Sequence, residues 1–282
     1  MFELIIKLGK SVEPIHFYDE NTFYKTKKYT TYTKASDTCF IQGLYRGEKG
    51  FCVFENDEYT VLVLGLVFYK KAYAKKSEAL TASELYTLYE EDKDFTEKLK
   101  GNFSLVIYNK SENKLSVVND QFALRPLYYA RLNDEFVLSN NLNFFKSYHL
   151  ELNEIVVLEK VLFSYPITKE SYYKGVYILD GGEYLTYSND KLEIESYFDL
   201  HDFVFTKQEK KFDYKYFIEL FNDSVHQNAA VSKNPISSLT GGFDGRSIVS
   251  SLLKGKFNFQ TYSFGKANGE NTKVPIEVSK QI

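Results

Sequence analysis

The chain has 282 residues, 44% of them hydrophobic and 26% charged, and a formal net charge of −3. This length accommodates two domains with a sizeable buried core. The near balance of 35 Lys+Arg against 38 Asp+Glu excludes a strongly basic nucleic-acid surface, and no apolar run approaches the ~18 residues that a spanning helix needs.

The opening "MFELIIKLGKSVEP" carries too short an apolar run for a secretion signal, with a lysine inside it, so a cytoplasmic location is expected. Cys39 and Cys52 are accordingly expected as free thiols. The 24 Tyr and 24 Phe, with no Trp, suit half-buried sheet faces.

Residues 1 to about 75 predict strands: "FELIIKL", "CFIQGLYR", "GFCVFEN" and "YTVLVLGLVFYK" are β-branched and aromatic runs parted by Gly, Asn and Asp. The period then changes. In "TASELYTLYEEDKDFTEKLKG", Leu85, Leu88 and Tyr89 share a helical face, and Gly101 is expected to stop the segment. The runs "NFSLVIYN" and "KLSVVND" flank the turn "KSEN"; "LRPLYYAR" and "FVLSN" flank "NDE", with Pro126 opening a strand. Further short strands surround Gly181 and Gly182. "HDFVFTKQEKK" reads as a polar linker. From Asp213 the chain turns helical, with Tyr214, Phe217, Ile218, Phe221 and Val225 at i, i+3, i+4, i+7 spacing until Asn234 and Pro235. Then come a strand at Ile236–Leu239, a helix at Ser247–Leu253 capped by Gly255, a strand in "FNFQTYSFG" and a helix beginning in "KVPIEVSKQI". The expected layout is a β-rich domain over 1–200, a linker over 201–212, and the start of a parallel α/β domain over 213–282. One strand–helix–strand unit is not a finished parallel sheet, so the chain is expected to be a piece of a longer protein.

The turn in "SSLTGGFDGRSIVSSLL" points to anion binding. Glycines let backbone N–H groups approach a ligand, and a helix start adds its positive end. Thr240 offers a hydroxyl and Arg246 a cation; Asp244 suits a phosphate site only through a bridging Mg²⁺. No Walker A pattern is present. A glycine-rich turn that binds nothing is the plain alternative. The scattered His16, His149, His201 and His226 define no metal site. The run "EEDKDFTEK" reads as a solvated face, and Asp120 and Arg125 read as structural.

"LTGGFDGRS" resembles the pyrophosphate loop of the asparagine synthetase family, whose pattern is S-G-G-x-D-S. "DQFALRPLYY" is similar to a hairpin in that family's glutaminase-type domain, and "YYKGVYILDGGEYLTYSNDKLEIESYFDL" to the segment joining its two domains. The likeness runs from about residue 84 to the end and is weak before residue 60. It implies an N-terminal-nucleophile αββα sandwich followed by a PP-loop ATP pyrophosphatase domain, cut short here.

The same resemblance exposes departures. The family's nucleophile, a cysteine directly after the initiator Met, is here Phe2, and neither Cys39 nor Cys52 carries a free α-amino group. Leu64 stands at the family's oxyanion-donor Asn, beside a retained Gly65, and Ala82 where a substrate-holding Asp would sit. No catalytic residue of the glutaminase reaction is therefore expected. Beta-lactam synthetases and lasso-peptide cyclases, which also carry a glutaminase-like domain without its nucleophile, are similar in this respect. Gly245 replaces the loop's serine.

The resemblance implies an AMP-forming ligase that adenylates a carboxylate for attack by an amine. Leu239, Thr240, Gly241, Gly242, Asp244, Gly245, Arg246 and Phe264 would bind ATP, Asp244 through Mg²⁺; Leu239 by its backbone and Phe264 by its side chain would meet the adenosine. Expected partners are the nucleotide, a carboxylate and an amine, with no nucleic acid or membrane and with a homodimer possible. The competing readings are a scaffold or dimerisation module derived from the family, and a working glutamine-hydrolysing asparagine synthetase.

Overall fold

Strands that must be buried on both faces read as continuous apolar runs, and the first 200 residues contain several. The structure, a computed structural model, describes residues 2–14, 30–45, 50–70, 78–205, 212–266 and 269–280. In chain order the elements are β1 (Phe2–Gly9), β2 (Thr30–Ala35), β3 (Cys39–Tyr45), β4 (Phe51–Glu55), β5 (Tyr59–Tyr69), α1 (Ala82–Glu91), β6 (Leu99–Asn109), β7 (Lys114–Asn119), β8 (Leu127–Leu132), β9 (Glu135–Ser139), α2 (Glu154–Phe163) and β10 (Val176–Leu179). They continue with β11 (Glu183–Ser188), β12 (Lys191–Ser196), α3 (Leu200–Phe205), α4 (Tyr214–Ala230), β13 (Ile236–Ser238), α5 (Phe243–Lys254), β14 (Gln260–Tyr262) and α6 (Glu270–Ser279). The chain divides into two units, Met1–Lys75 with Leu80–Thr206, and Lys76–Ala79 with Lys207–Ile282.

The first unit holds two six-stranded sheets, ordered β10-β8-β9-β1-β3-β2 and β12-β11-β7-β6-β5-β4. Every pairing within them is antiparallel. Strand alternation explains the stacking. Leu4, Ile6 and Leu8 of β1 and Leu62 and Leu64 of β5 share one cluster, which lies between the sheets. Val61, Val63 and Val67 of β5 turn outward onto Leu85 and Leu88 of α1. The outer face of the first sheet carries Ile5, Phe40 and Val137, covered by Phe145.

That cover is a 3₁₀ segment, Leu142–Tyr148, started by Asn141, whose side chain accepts the N–H of Asn143. The expected αββα sandwich is thus met in its stacked sheets. Among the described residues, however, a 3₁₀ turn rather than an α-helix covers the first sheet. The seven-residue "LNFFKSY" is closed by His149 in the left-handed region, which leaves little length for an α-helix.

Three expected boundaries shift. α1 ends at Glu91, before Gly101, because Asp92 is already extended. Gly101 lies inside β6 at φ 143°, where an added Cβ would meet Leu66 O at 2.1 Å. α5 begins at Phe243, four residues before the expected Ser247, so Asp244 and Gly245 belong to its first turn. Of the expected linker, His201–Phe205 lies in helix α3, and residues 206–211 fall outside the described residues, as do the last two residues of the C-terminal segment. The helix α2 and the 3₁₀ segment were not expected at all.

The two cysteines are free. Cys39 sits in the core between the sheets and Cys52 against the cluster outside the second sheet, so the sheet separates them. Burial raises both thiols, Cys39 to about 11. Among the described residues, no helix is long and apolar enough to cross a membrane.

In the second unit β13 and β14 pair in parallel, Ser237 opposite Thr261, on either side of α5. α4 is capped by Asp213, whose carboxylate accepts the N–H groups of Lys215 and Tyr216. His226 Nε2 lies 2.8 Å from Ser251 O, and the Ser251 hydroxyl donates to Asn222 Oδ1 at 2.7 Å, joining α4 to α5.

Candidate functional site

The turn between β13 and α5 is built by local hydrogen bonds. Leu239 is buried, and its N–H donates to Tyr262 O at 2.9 Å. Its carbonyl accepts the Ser263 hydroxyl at 2.7 Å. Both backbone groups of Leu239 are thus engaged within the sheet extension. The Gly242 N–H donates to Thr240 Oγ1 at 3.3 Å, folding the turn back on itself.

Gly242 is the N-cap of α5 and supplies no side-chain acceptor. The first N–H groups of a helix have no partner within it, so the start of α5 keeps donors directed out of its end. Asp244 is exposed in this first turn. Gly245 faces the strand: an added Cβ would come within 2.9 Å of Ser238 O. Helix and strand approach more closely here than a serine would permit, which is the physical meaning of the glycine at this position. Arg246 Nε donates to Gly242 O at 3.1 Å, so the guanidinium folds along the first turn.

Phe264 is 67% exposed just beyond β14, stacked on Tyr262 with centroids 6.4 Å apart. Phe243, at the first helical position, is also exposed. Tyr262, Ser263 and Phe243 were absent from the residues expected at this site. The parallel pairing of β13 with β14 brings Tyr262 and Ser263 to the turn, whereas Phe243 follows Gly242 directly in the chain. The donors suit a phosphate group, and a single carboxylate suits Mg²⁺, which commonly takes one or two carboxylates together with phosphate oxygens.

In the first unit, the positions expected to carry glutamine chemistry do not converge. Phe2 opens β1, its backbone opposite Tyr45. Leu64 is in the core between the sheets, whereas Ala82 is buried in the cluster outside the second sheet. "TASE" is a capping box: Glu84 N–H donates to Thr81 Oγ1 at 3.3 Å and Thr81 N–H to Glu84 Oε2 at 2.8 Å. Gly65 adopts φ 103°, and a Cβ there would lie 2.0 Å from Asn102 O and 2.7 Å from Arg125 Nε.

Asp120 organises the neighbouring hairpin. It is fully buried, and its carboxylate accepts the N–H groups of Phe103, Phe122 and Leu124 at 3.2, 2.9 and 3.4 Å. Its carbonyl accepts the Gly182 N–H at 2.9 Å. These four hydrogen bonds tie the hairpin to β6 and to the turn at Gly182.

Residues 64–198, which include this hairpin, match the family model described as a glutamine amidotransferase domain. Two curated proteins of Bacillus subtilis (strain 168) are similar to the chain. Asparagine synthetase [glutamine-hydrolyzing] 1 is 25% identical over 233 residues, covering 78% of this chain and 35% of the relative. Asparagine synthetase [glutamine-hydrolyzing] 2 is 25% identical over 232 residues, covering 74% and 31%. The chain therefore carries a glutamine amidotransferase domain of the asparagine synthetase family. It spans about a third of the length of these relatives. Among solved structures, glutamine phosphoribosylpyrophosphate amidotransferase from B. subtilis complexed with ADP and GMP overlaps it with a TM-score of 0.37 at 11% identity, covering 95% of this chain and 60% of that one.

Proposed function

We propose that this chain forms part of an ATP-dependent, AMP-forming amide ligase of asparagine synthetase type, in which the first unit no longer hydrolyses glutamine. The observation that carries the reading is the start of α5. A helix capped by a bare glycine follows directly on a parallel-paired strand, with Asp244 exposed in its first turn. In such a ligase a substrate carboxylate attacks the α-phosphorus of ATP and pyrophosphate leaves; an amine then displaces AMP from the acyl group. Negative charge develops on the departing pyrophosphate, so donors already aimed at it lower the barrier. The N–H groups of the Gly241–Gly245 stretch, the Thr240 hydroxyl and Arg246 would hold that group, and Asp244 would hold Mg²⁺, which neutralises phosphate charge when bound. Phe264 offers an exposed ring to the adenine.

The loss of glutaminase chemistry is supported by hydrocarbon at the two alignable positions, Leu64 and Ala82, both buried. Removal of a single oxyanion donor typically costs about 100- to 1000-fold.

Calorimetric titration with ATP and Mg²⁺ tests the proposal. Saturable binding is expected, weakened at least about tenfold, or ~1.4 kcal/mol, in Asp244→Ala. No heat of binding, or full binding by Asp244→Ala, would overturn the nucleotide or the metal assignment respectively. Incubation with glutamine is expected to release no ammonia, and Phe2→Cys alone is not expected to restore release.

A further inference from the structure

At one end of the first unit's core a single ring bridges the two sheets. Phe51 of β4 stands directly opposite Leu64 of β5, and both side chains enter the cluster between the sheets. Cys39 and Ile41 of β3 face that cluster from the other sheet, so strand alternation turns Gly43 toward it as well. The Phe51 ring crosses the gap and ends on Gly43. A Cβ added there would meet Phe51 Cζ at 2.7 Å and Cε2 at 3.1 Å. Tyr45, two residues further on, stacks on the same ring, with centroids 4.6 Å apart and planes 16° apart. The ring is thus held at its side by Leu64, at its tip by Gly43 and on its face by Tyr45, and Phe51 is 5% exposed.

Glutamine chemistry would need room in this place, because Leu64 stands where the family resemblance has an oxyanion-donor Asn. A substrate amide needs space, a donor and polar partners. The ring fills the space. The N–H of Gly65, next to Leu64, donates to Gly50 O at 2.6 Å and is already used. Leu4, which pairs with Gly43, belongs with Leu62, Leu64 and Phe51 to the apolar cluster. An amide placed among these side chains would lose its hydrogen bonds to water and find none in return.

We infer that Phe51 is a plug that excludes glutamine from the first unit, with Gly43 as its socket. This rests on the proposed loss of glutamine hydrolysis and gives that loss a steric cause in addition to the chemical one. Restoring polar side chains at Leu64 and Ala82 would therefore return neither binding nor hydrolysis while the ring is in place. The lining also fixes what an emptied socket accepts. A cavity walled by leucines and a tyrosine face stays dry and takes a small apolar molecule such as benzene.

Gly43→Ala should lower the folding equilibrium constant in urea at least about tenfold, since the new methyl is driven against a buried ring. Phe51→Leu in the same chain should return most of that loss, as expected for two residues in contact. In ligand-observed NMR, glutamine is expected to show no saturable contact with the 282-residue chain. Benzene should raise the melting temperature of Phe51→Ala and leave that of the unsubstituted chain unmoved. A Gly43→Ala cost that is the same with and without the Phe51 ring overturns the plug, and so does a Phe51→Ala chain indifferent to benzene. Saturable glutamine binding by the unsubstituted chain overturns it too. If that binding comes without ammonia, the plug alone fails and the loss of hydrolysis stands; ammonia release removes both. Should Phe51→Ala not fold, the Gly43–Phe51 coupling and the glutamine titration decide.

Discussion

At the scale of single residues, buried polar groups and special backbone positions carry the sharpest expectations. Asp120 satisfies three backbone N–H groups; Asp120→Ala leaves them without that acceptor and should cost about 3 kcal/mol in urea unfolding, with Asp120→Asn costing less. Gly65→Ala forces a Cβ onto Asn102 O at φ 103° and should destabilise by at least ~2 kcal/mol in the same assay. Glu55 connects the sheets: it pairs with Lys34 of β2 and with Lys110 beyond β6, and accepts a hydrogen bond from Tyr32. Hydrogen bonding from Lys34 is the main reason its carboxyl falls from 4.5 to about 2. A depressed carboxyl binds its proton more readily in the unfolded chain, so its stabilisation is full above about 4.5 and is lost as pH falls towards 2. The side chain is 39% exposed, and solvent screening holds the effect below ~1 kcal/mol. Glu55→Gln should flatten that part of the stability–pH curve. Asp120 and Gly65 were visible in the sequence as residue types, but their roles depend on Gly182 and Asn102, partners that only the paired strands supply.

Elements were legible where one periodicity was strong. The β-branched runs became β1, β3, β5 and β6, and the i, i+3, i+4, i+7 pattern after Asp213 became α4. Their ends were less legible, because ends are set by caps. The Thr81–Glu84 capping box starts α1, and its T-x-x-E spacing is a signal legible in the sequence. Thr81→Ala should cost about 1 kcal/mol in thermal or urea unfolding, and Thr81→Ser should retain most of that. α5 starts early because Gly242 is extended and Gly245 is accommodated against Ser238; glycines in a sequence suggest a turn, whereas here they also line a close helix–strand contact. α2 is illegible for a different reason. "EIVVLEKVLF" is apolar around most of its circumference, which reads equally as a buried strand, and the Asn153 cap decides for helix.

For the whole molecule, the order of motifs was the strongest information in the chain. A glutaminase-type hairpin, a joining segment and a glycine turn in succession identified the family of the first unit, and the match over residues 64–198 agrees. What a linear pattern determines is which residue types are present and in what order: strands long enough to be buried on both faces, and glycines where a side chain is excluded. What only the tertiary structure decided is which of these meet. Sheet pairing put Leu64 and Ala82 on opposite sides of one sheet, parallel pairing brought Tyr262 and Ser263 to Leu239, and packing left α2 bare. The physical reason is that side-chain direction follows from strand register and helix phase, and both are set by partners distant in the sequence.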